Sequence, residues 1–85
     1  MAYTLHIRRS AEKEIAGIPQ KTRSRIIDEI RHLANQPRPY GCKKLSGEDR
    51  AWRIRVGDHR VVYEIDDIEA LVDVRLVAHR KEAYR

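Results

Sequence analysis

The chain has 85 residues, a length that forms one domain and excludes a multi-domain enzyme. Lysine and arginine number 18 against 13 aspartates and glutamates, a net charge of +5, so the exposed surface favours polyanions, nucleic acid first among them. Hydrophobic residues make up 41%, enough to close a core and to exclude a disordered polycation, and no apolar run exceeds three residues, which excludes a spanning helix of about 20.

The start, Met1-Ala2-Tyr3-Thr4-Leu5, has no basic stretch followed by an apolar segment, so a secreted product is not expected and the cytoplasm is the default compartment. A single cysteine, Cys42, forms no internal disulfide and offers no zinc-ligand spacing. No metal or cofactor is expected.

Tyr3, Leu5 and Ile7 alternate with Thr4, His6 and Arg8, which predicts a half-buried first strand. Ser10 then offers an N-cap hydroxyl, Glu12 and Glu14 suit the positive end of a helix dipole, and Ala11, Ile15 and Ile18 share a face. A short helix ending near Gly17 is predicted. Pro19 fits the first turn of a second helix, whose stripe of Ile26, Ile27, Ile30, Leu33 and Ala34 opposes Lys21, Arg23, Arg25, Asp28 and Arg31. Asn35 and Pro37 end it. Residues 36 to 50 show no helical or strand period and read as a connecting loop. Between Glu29 and Glu48 its charges are Arg31, Arg38, Lys43 and Lys44 with no acid, so the connection carries a positive field.

Trp52, Ile54 and Val56 alternate with Arg53 and Arg55, and Val61, Tyr63 and Ile65 follow a similar period after the two-residue turn Gly57-Asp58. Asp66 to Glu69 forms a second turn, and a last strand runs from Ala70 to Ala78 with Val72, Val74 and Leu76 inward. The fold class is therefore α+β, a β-α-α-β-β-β order with a mainly antiparallel four-stranded sheet, two helices on one face and a short C-terminal tail.

A turn at Gly57-Asp58 sets Arg55 opposite Arg60, Arg53 opposite Val62 and Trp52 opposite Tyr63, and directly opposed residues share a face. Arg53, Arg55 and Arg60 thus converge on one side of the sheet. Like charges opposed in this way cost about 0.2–1 kcal/mol. Either Glu64 or Asp73 neutralises the patch as a solvated ladder, or an anion does. Arginine forks match phosphate oxygens bidentately, which favours the anion. Four acids between Glu64 and Glu69 give the other hairpin end the opposite sign. The chain closes on His79-Arg80-Lys81-Glu82-Ala83-Tyr84-Arg85, where an imidazole, a fixed cation and a phenol arrive together.

This layout, with Ser10-Ala11-Glu12-Lys13-Glu14, Pro37-Arg38-Pro39, Lys44-Leu45-Ser46-Gly47, the run from Trp52 to Tyr63 and the ending from His79 to Tyr84, resembles the RelE branch of the RelE/ParE toxin superfamily along essentially the whole chain. The resemblance implies a ribosome-dependent, metal-independent mRNA endonuclease, the toxin of a type II toxin–antitoxin pair. It implies entry into the ribosomal A site and attack of the RNA 2′-hydroxyl on the adjacent phosphate. A RelB-like antitoxin is implied as partner, covering the basic face in a hetero-oligomer. Carried over by position, the catalytic set is Arg53, Arg55, Arg60, Arg80 and Tyr84; the positive loop and the charged ending add Arg38, Lys43, Lys44 and Lys81 as expected RNA contacts. Arginine stays protonated, so Arg53 and Arg55 are poor bases where some relatives carry lysine. His79, His59 and Tyr84 are the candidates, with His79 first because imidazole needs the smallest pKa shift. His6 and His32 read as surface residues. A ParE-like member would share the fold and act on DNA gyrase without a nuclease site. A third class, a basic nucleic-acid-binding module without catalysis, would share the salt-dependent binding but not the cleavage.

Overall fold

The alternation at the start does produce a strand, β1 (Thr4–Ile7), and the chain turns into a helix, α1 (Arg9–Ala16), with no linker between them. The computed structural model describes residues 2–79. Because Arg8 N still donates to Val74 O in the sheet (2.9 Å), the strand's own end becomes the N-cap, and Ser10 lies inside the first turn rather than capping it. Glu12 N closes that turn on Arg8 O at 2.9 Å. Pro19 serves as N-cap of α2 (Gln20–His32), where its missing N–H costs nothing, and its carbonyl accepts from Arg23 N at 2.8 Å. The last turn tightens, with Leu33 N reaching Ile30 O and Ala34 N reaching Arg31 O.

The segment expected to be all loop contains a two-residue strand, β2 (Lys43–Lys44), antiparallel to β3 (Ala51–Val56). The sheet therefore has five strands, in the order β1-β5-β4-β3-β2. Two residues are too few to carry an alternation, so only the partner strand reveals them. β3 and β4 (His59–Asp66) form the hairpin about Gly57-Asp58, with Gly57 at φ +62, and the register Trp52↔Tyr63, Ile54↔Val61, Arg55↔Arg60 is the one the turn predicts. The next turn is held by the Asp66 carboxylate, which accepts from Ile68 N and Glu69 N at 3.1 and 3.0 Å. Ala70 ends that turn at φ +51, so β5 begins at Leu71 and runs to His79.

β5 does not alternate throughout. Val62 opposes Leu76 while Tyr63 opposes Val74, which leaves Arg75 as the extra residue of a β-bulge. Past it the faces exchange: Val77 is 2% exposed in the core, whereas Leu76, expected inward, is half-buried on the opposite face. The core between sheet and helices gathers Ala11, Ile15, Ile26, Ile30 and Leu33 from the helical segments against Ile54, Val61, Tyr63, Val72, Val74 and Val77. α1 packs on β5 and α2 on β3, so both helices cover one face. The other face is covered by neither helix, and it carries the arginines. No helix among the described residues is long and apolar enough to cross a membrane.

Candidate nucleic-acid interface

β3 and β4 fix the centre of the open face. Arg55 faces Arg60 across the hairpin, Arg53 faces Val62 on one side and Lys43 of β2 on the other, and Arg60 faces Ala78 of β5. Lys43, Arg53, Arg55 and Arg60 therefore share this face. Arg53 is only 6% exposed and Arg60 9%, whereas Arg55 and Lys43 stand in solvent. A buried cation is normally paired. Among the described residues, Arg53 has no acid and no hydrogen-bond acceptor.

The acids expected to neutralise this patch are engaged elsewhere. Glu64 Oε2 accepts from Arg75 Nη1 and from Arg8 Nη2, both at 3.1 Å. Asp73 accepts from Arg8 Nε at 3.0 Å, and His6 Nδ1 lies 2.8 Å from its other oxygen. Arg75 also grips Glu48 through two nitrogens at 2.9 and 3.1 Å. These bonds hold the Glu48 carboxyl below the usual carboxylate range and push Arg75 further up, in each case chiefly through the hydrogen bond itself. A second set of cations, from β1 and from the bulge of β5, thus consumes the acids of the open face. Charge on that face sorts into a neutralised belt over β1 and β5 and a cationic field over β2 and β3. The field offers planar donors held by a rigid sheet, suited to successive phosphates of a single strand.

Arg38 has a different position. Its guanidinium forks onto Asp67 at 2.9 and 3.2 Å and lies 5.1 Å from the Trp52 ring centroid, and Tyr3 donates its hydroxyl to the same Asp67 at 2.7 Å. Asp67 is held below its usual pKa first by the Arg38 hydrogen bond and then by that from Tyr3. The predicted phosphate contact is thus a clamp joining the 36–42 loop to the β4–β5 turn. Lys43 does reach the arginine face, while Lys44, opposite Trp52, belongs to the helix side of the sheet.

The bulge also moves His79. Two residues beyond Val77, it opposes His59, and the two rings meet edge to face with centroids 5.6 Å apart in a small cleft that Glu14, Ile18 and Val77 also line. Both imidazoles stand on the helix side of the sheet, while Arg53, Arg55 and Arg60 share the other face. Glu14 is held there by its own task, accepting Val77 N at 3.0 Å, rather than acting at the helix dipole alone. Arg80, Lys81 and Tyr84 lie outside the described residues. What residue patterns missed is the belt. Arg8, Arg75 and Glu48 are distant in sequence, and only the parallel β1–β5 pairing brings the first two to the same acid, Glu64.

A family model described as the ParE toxin of type II toxin–antitoxin systems (parDE) matches residues 5–84. The toxin RelE of Mycobacterium tuberculosis is 29% identical over 84 residues, spanning 98% of this chain and 87% of its own length. The RelE–RelB complex of Pyrococcus horikoshii OT3 shares the fold, with a TM-score of 0.84 at 24% identity over 98% of this chain and 100% of that one. The toxin–antitoxin complex RelBE of E. coli gives a TM-score of 0.80 at 25% identity over 92% of this chain and 96% of that one. With nearly all of its length matched, and with the two-helix, open-sheet architecture in common, the chain belongs to the ParE toxin family of type II toxin–antitoxin systems, within the RelE/ParE superfamily.

Proposed function

We propose that this chain is a ribosome-dependent mRNA endonuclease that stops translation by cutting the message in the ribosomal A site. The observation that carries the reading is Arg53, a guanidinium 6% exposed on the open sheet face, with the nearby acids bonded to Arg8 and Arg75 instead. The kinship with RelE toxins supports it. An RNA strand laid across β2, β3 and β4 places a phosphodiester among Arg53, Arg55 and Arg60. The 2′-oxygen attacks phosphorus, the P–O5′ bond breaks, and the products are a 2′,3′-cyclic phosphate and a 5′-hydroxyl. Negative charge grows on the phosphorane oxygens, and each fixed donor aimed at it is worth about 10²–10³ in rate. Arg60 and Arg80 take this role, with Arg53 and Arg55 orienting the backbone for in-line attack. With both imidazoles on the helix side, proton removal from the 2′-hydroxyl falls to Tyr84. No step calls on a metal ion.

A toxin of this kind requires an antitoxin, as in the solved complexes of its relatives. An apolar groove of about 530 Å³ between α1, α2 and β1, lined by Leu5, Ile7, Ile15, Ile27 and Ile30 with Arg23 and Arg31 at its rim, suits an amphipathic, acidic helix. The antitoxin would then continue onto the arginine face. The ParE description of the matching family supports a second reading, inhibition of DNA gyrase without cleavage. Incubating wild type, Arg60→Ala and Arg80→Ala with programmed ribosomes, and in parallel with gyrase and DNA, separates the two. Wild-type cleavage lost in both variants is expected. Intact message together with trapped gyrase–DNA complexes would overturn the nuclease.

A further inference from the structure

Among the described residues, two large apolar side chains stand in solvent, and one of them, Tyr40, lies in the positive loop beside β2. Tyr40 is at 108% relative exposure, yet its loop is tied down by several hydrogen bonds. Cys42 N donates to Pro39 O at 3.0 Å and Gly41 has φ +89, which makes residues 39–42 a type II turn with Tyr40 at the first corner. On the near side, Pro37 O accepts from the buried Tyr63 hydroxyl at 2.7 Å, and Arg38 is forked onto Asp67. Pro37 and Pro39 restrict the backbone on the N-terminal side of Tyr40. Immediately beyond the turn come Lys43 and Lys44, both exposed, and Lys43 is in register with Arg53. An exposed ring held on a stiff turn, next to cations and with no acid between Glu29 and Glu48, has the make-up of a single-strand binding surface, in which bases stack on aromatics while the groove neutralises the backbone.

We infer that Tyr40 is a stacking platform for an unpaired base of the RNA that crosses Arg53, so that the strand enters the arginine face over the β2 edge. The inference rests on the proposed contact with RNA and adds to it a residue and a direction. An exposed tyrosine ring offers every base a π-face, so the contact contributes affinity without sequence preference.

The test titrates the purified full-length chain with a short single-stranded RNA carrying 2-aminopurine, read by fluorescence quenching, for wild type, Tyr40→Ala and Tyr40→Trp. Loss of about tenfold in affinity for Tyr40→Ala, with Tyr40→Trp restored to the wild-type level, is the expected result. The exposure of the side chain means that the melting temperature of both variants should stay at that of wild type, which reads folding separately. Equal affinity of Tyr40→Ala and wild type overturns the inference. So does a loss confined to an acidic antitoxin peptide, which would make Tyr40 a protein contact. Ribosomal cleavage retained alongside an unchanged Tyr40→Ala affinity rejects the platform alone. A wild-type chain that neither binds RNA nor cuts message rejects the nuclease reading and the platform with it.

Discussion

Replacing Arg53 by methionine should make the protein more stable and less able to bind RNA. Arg53 is 94% buried, has no acid among the described residues and lies directly opposite Lys43. Exchanging a buried ionic group for an apolar one of similar volume stabilises by about 1–4 kcal/mol, and relief of an opposed like charge adds about 0.2–1 kcal/mol. Methionine keeps the apolar stem in place. A net gain of about 2 kcal/mol, set against an unfolding entropy of about 0.18 kcal/mol/K for a chain of this length, raises Tm by about 10 °C. Urea unfolding at neutral pH gives the free energy directly, and titration with single-stranded RNA gives the loss on the functional side. If Arg53→Met is less stable than wild type, the guanidinium is already compensated in the folded state, and the claim that its charge awaits a phosphate fails.

Three further outcomes test other links of the account. Val77→Ala should destabilise by at least about 1 kcal/mol more than Leu76→Ala in urea unfolding, because the bulge at Arg75 turns Val77 into the core; the reverse order would mean that β5 alternates without a bulge. Tyr63→Phe should cost about 1–2 kcal/mol by the same measurement, since it leaves Pro37 O without its 2.7 Å donor, and the 36–42 loop should become more open to protease cleavage. The Asp67 carboxyl titrates below its ordinary 3.8 in the folded protein. Its ionised form therefore stabilises above that value, and the benefit is lost as pH falls through the folded pKa. The urea midpoints of wild type and Asp67→Asn should converge on acidification; a gap that widens instead would contradict the Arg38 clamp.

Hairpin register was legible because Gly57-Asp58 admits one pairing, and with it the shared face of Arg53, Arg55 and Arg60 follows from parity. The helices were legible from their stripes, although the cap of α1 was not, since the sheet holds Arg8 up to the first turn. The bulge escaped for a specific reason. Leu76 and Val77 are both apolar, so Val74-Arg75-Leu76-Val77 fits either parity and only the pairing with Val62 and Tyr63 decides it. That single inserted residue is why His79 faces His59 instead of the arginines. The charge belt escaped as well, because an acid such as Glu64 chooses among Arg8, Arg53 and Arg75 by distance, and distance across a sheet is not written in local spacing. Burial of Arg53 and Arg60 is likewise a property of the folded molecule that strand alternation does not give.

The most direct test maps the ends of mRNA left after programmed ribosomes are incubated with the purified chain. The account predicts a cut within the A-site codon, a 2′,3′-cyclic phosphate upstream, a 5′-hydroxyl downstream, and no product with Arg60→Ala. Full-length message under the same conditions, or a cut bearing a 5′-phosphate, would contradict it.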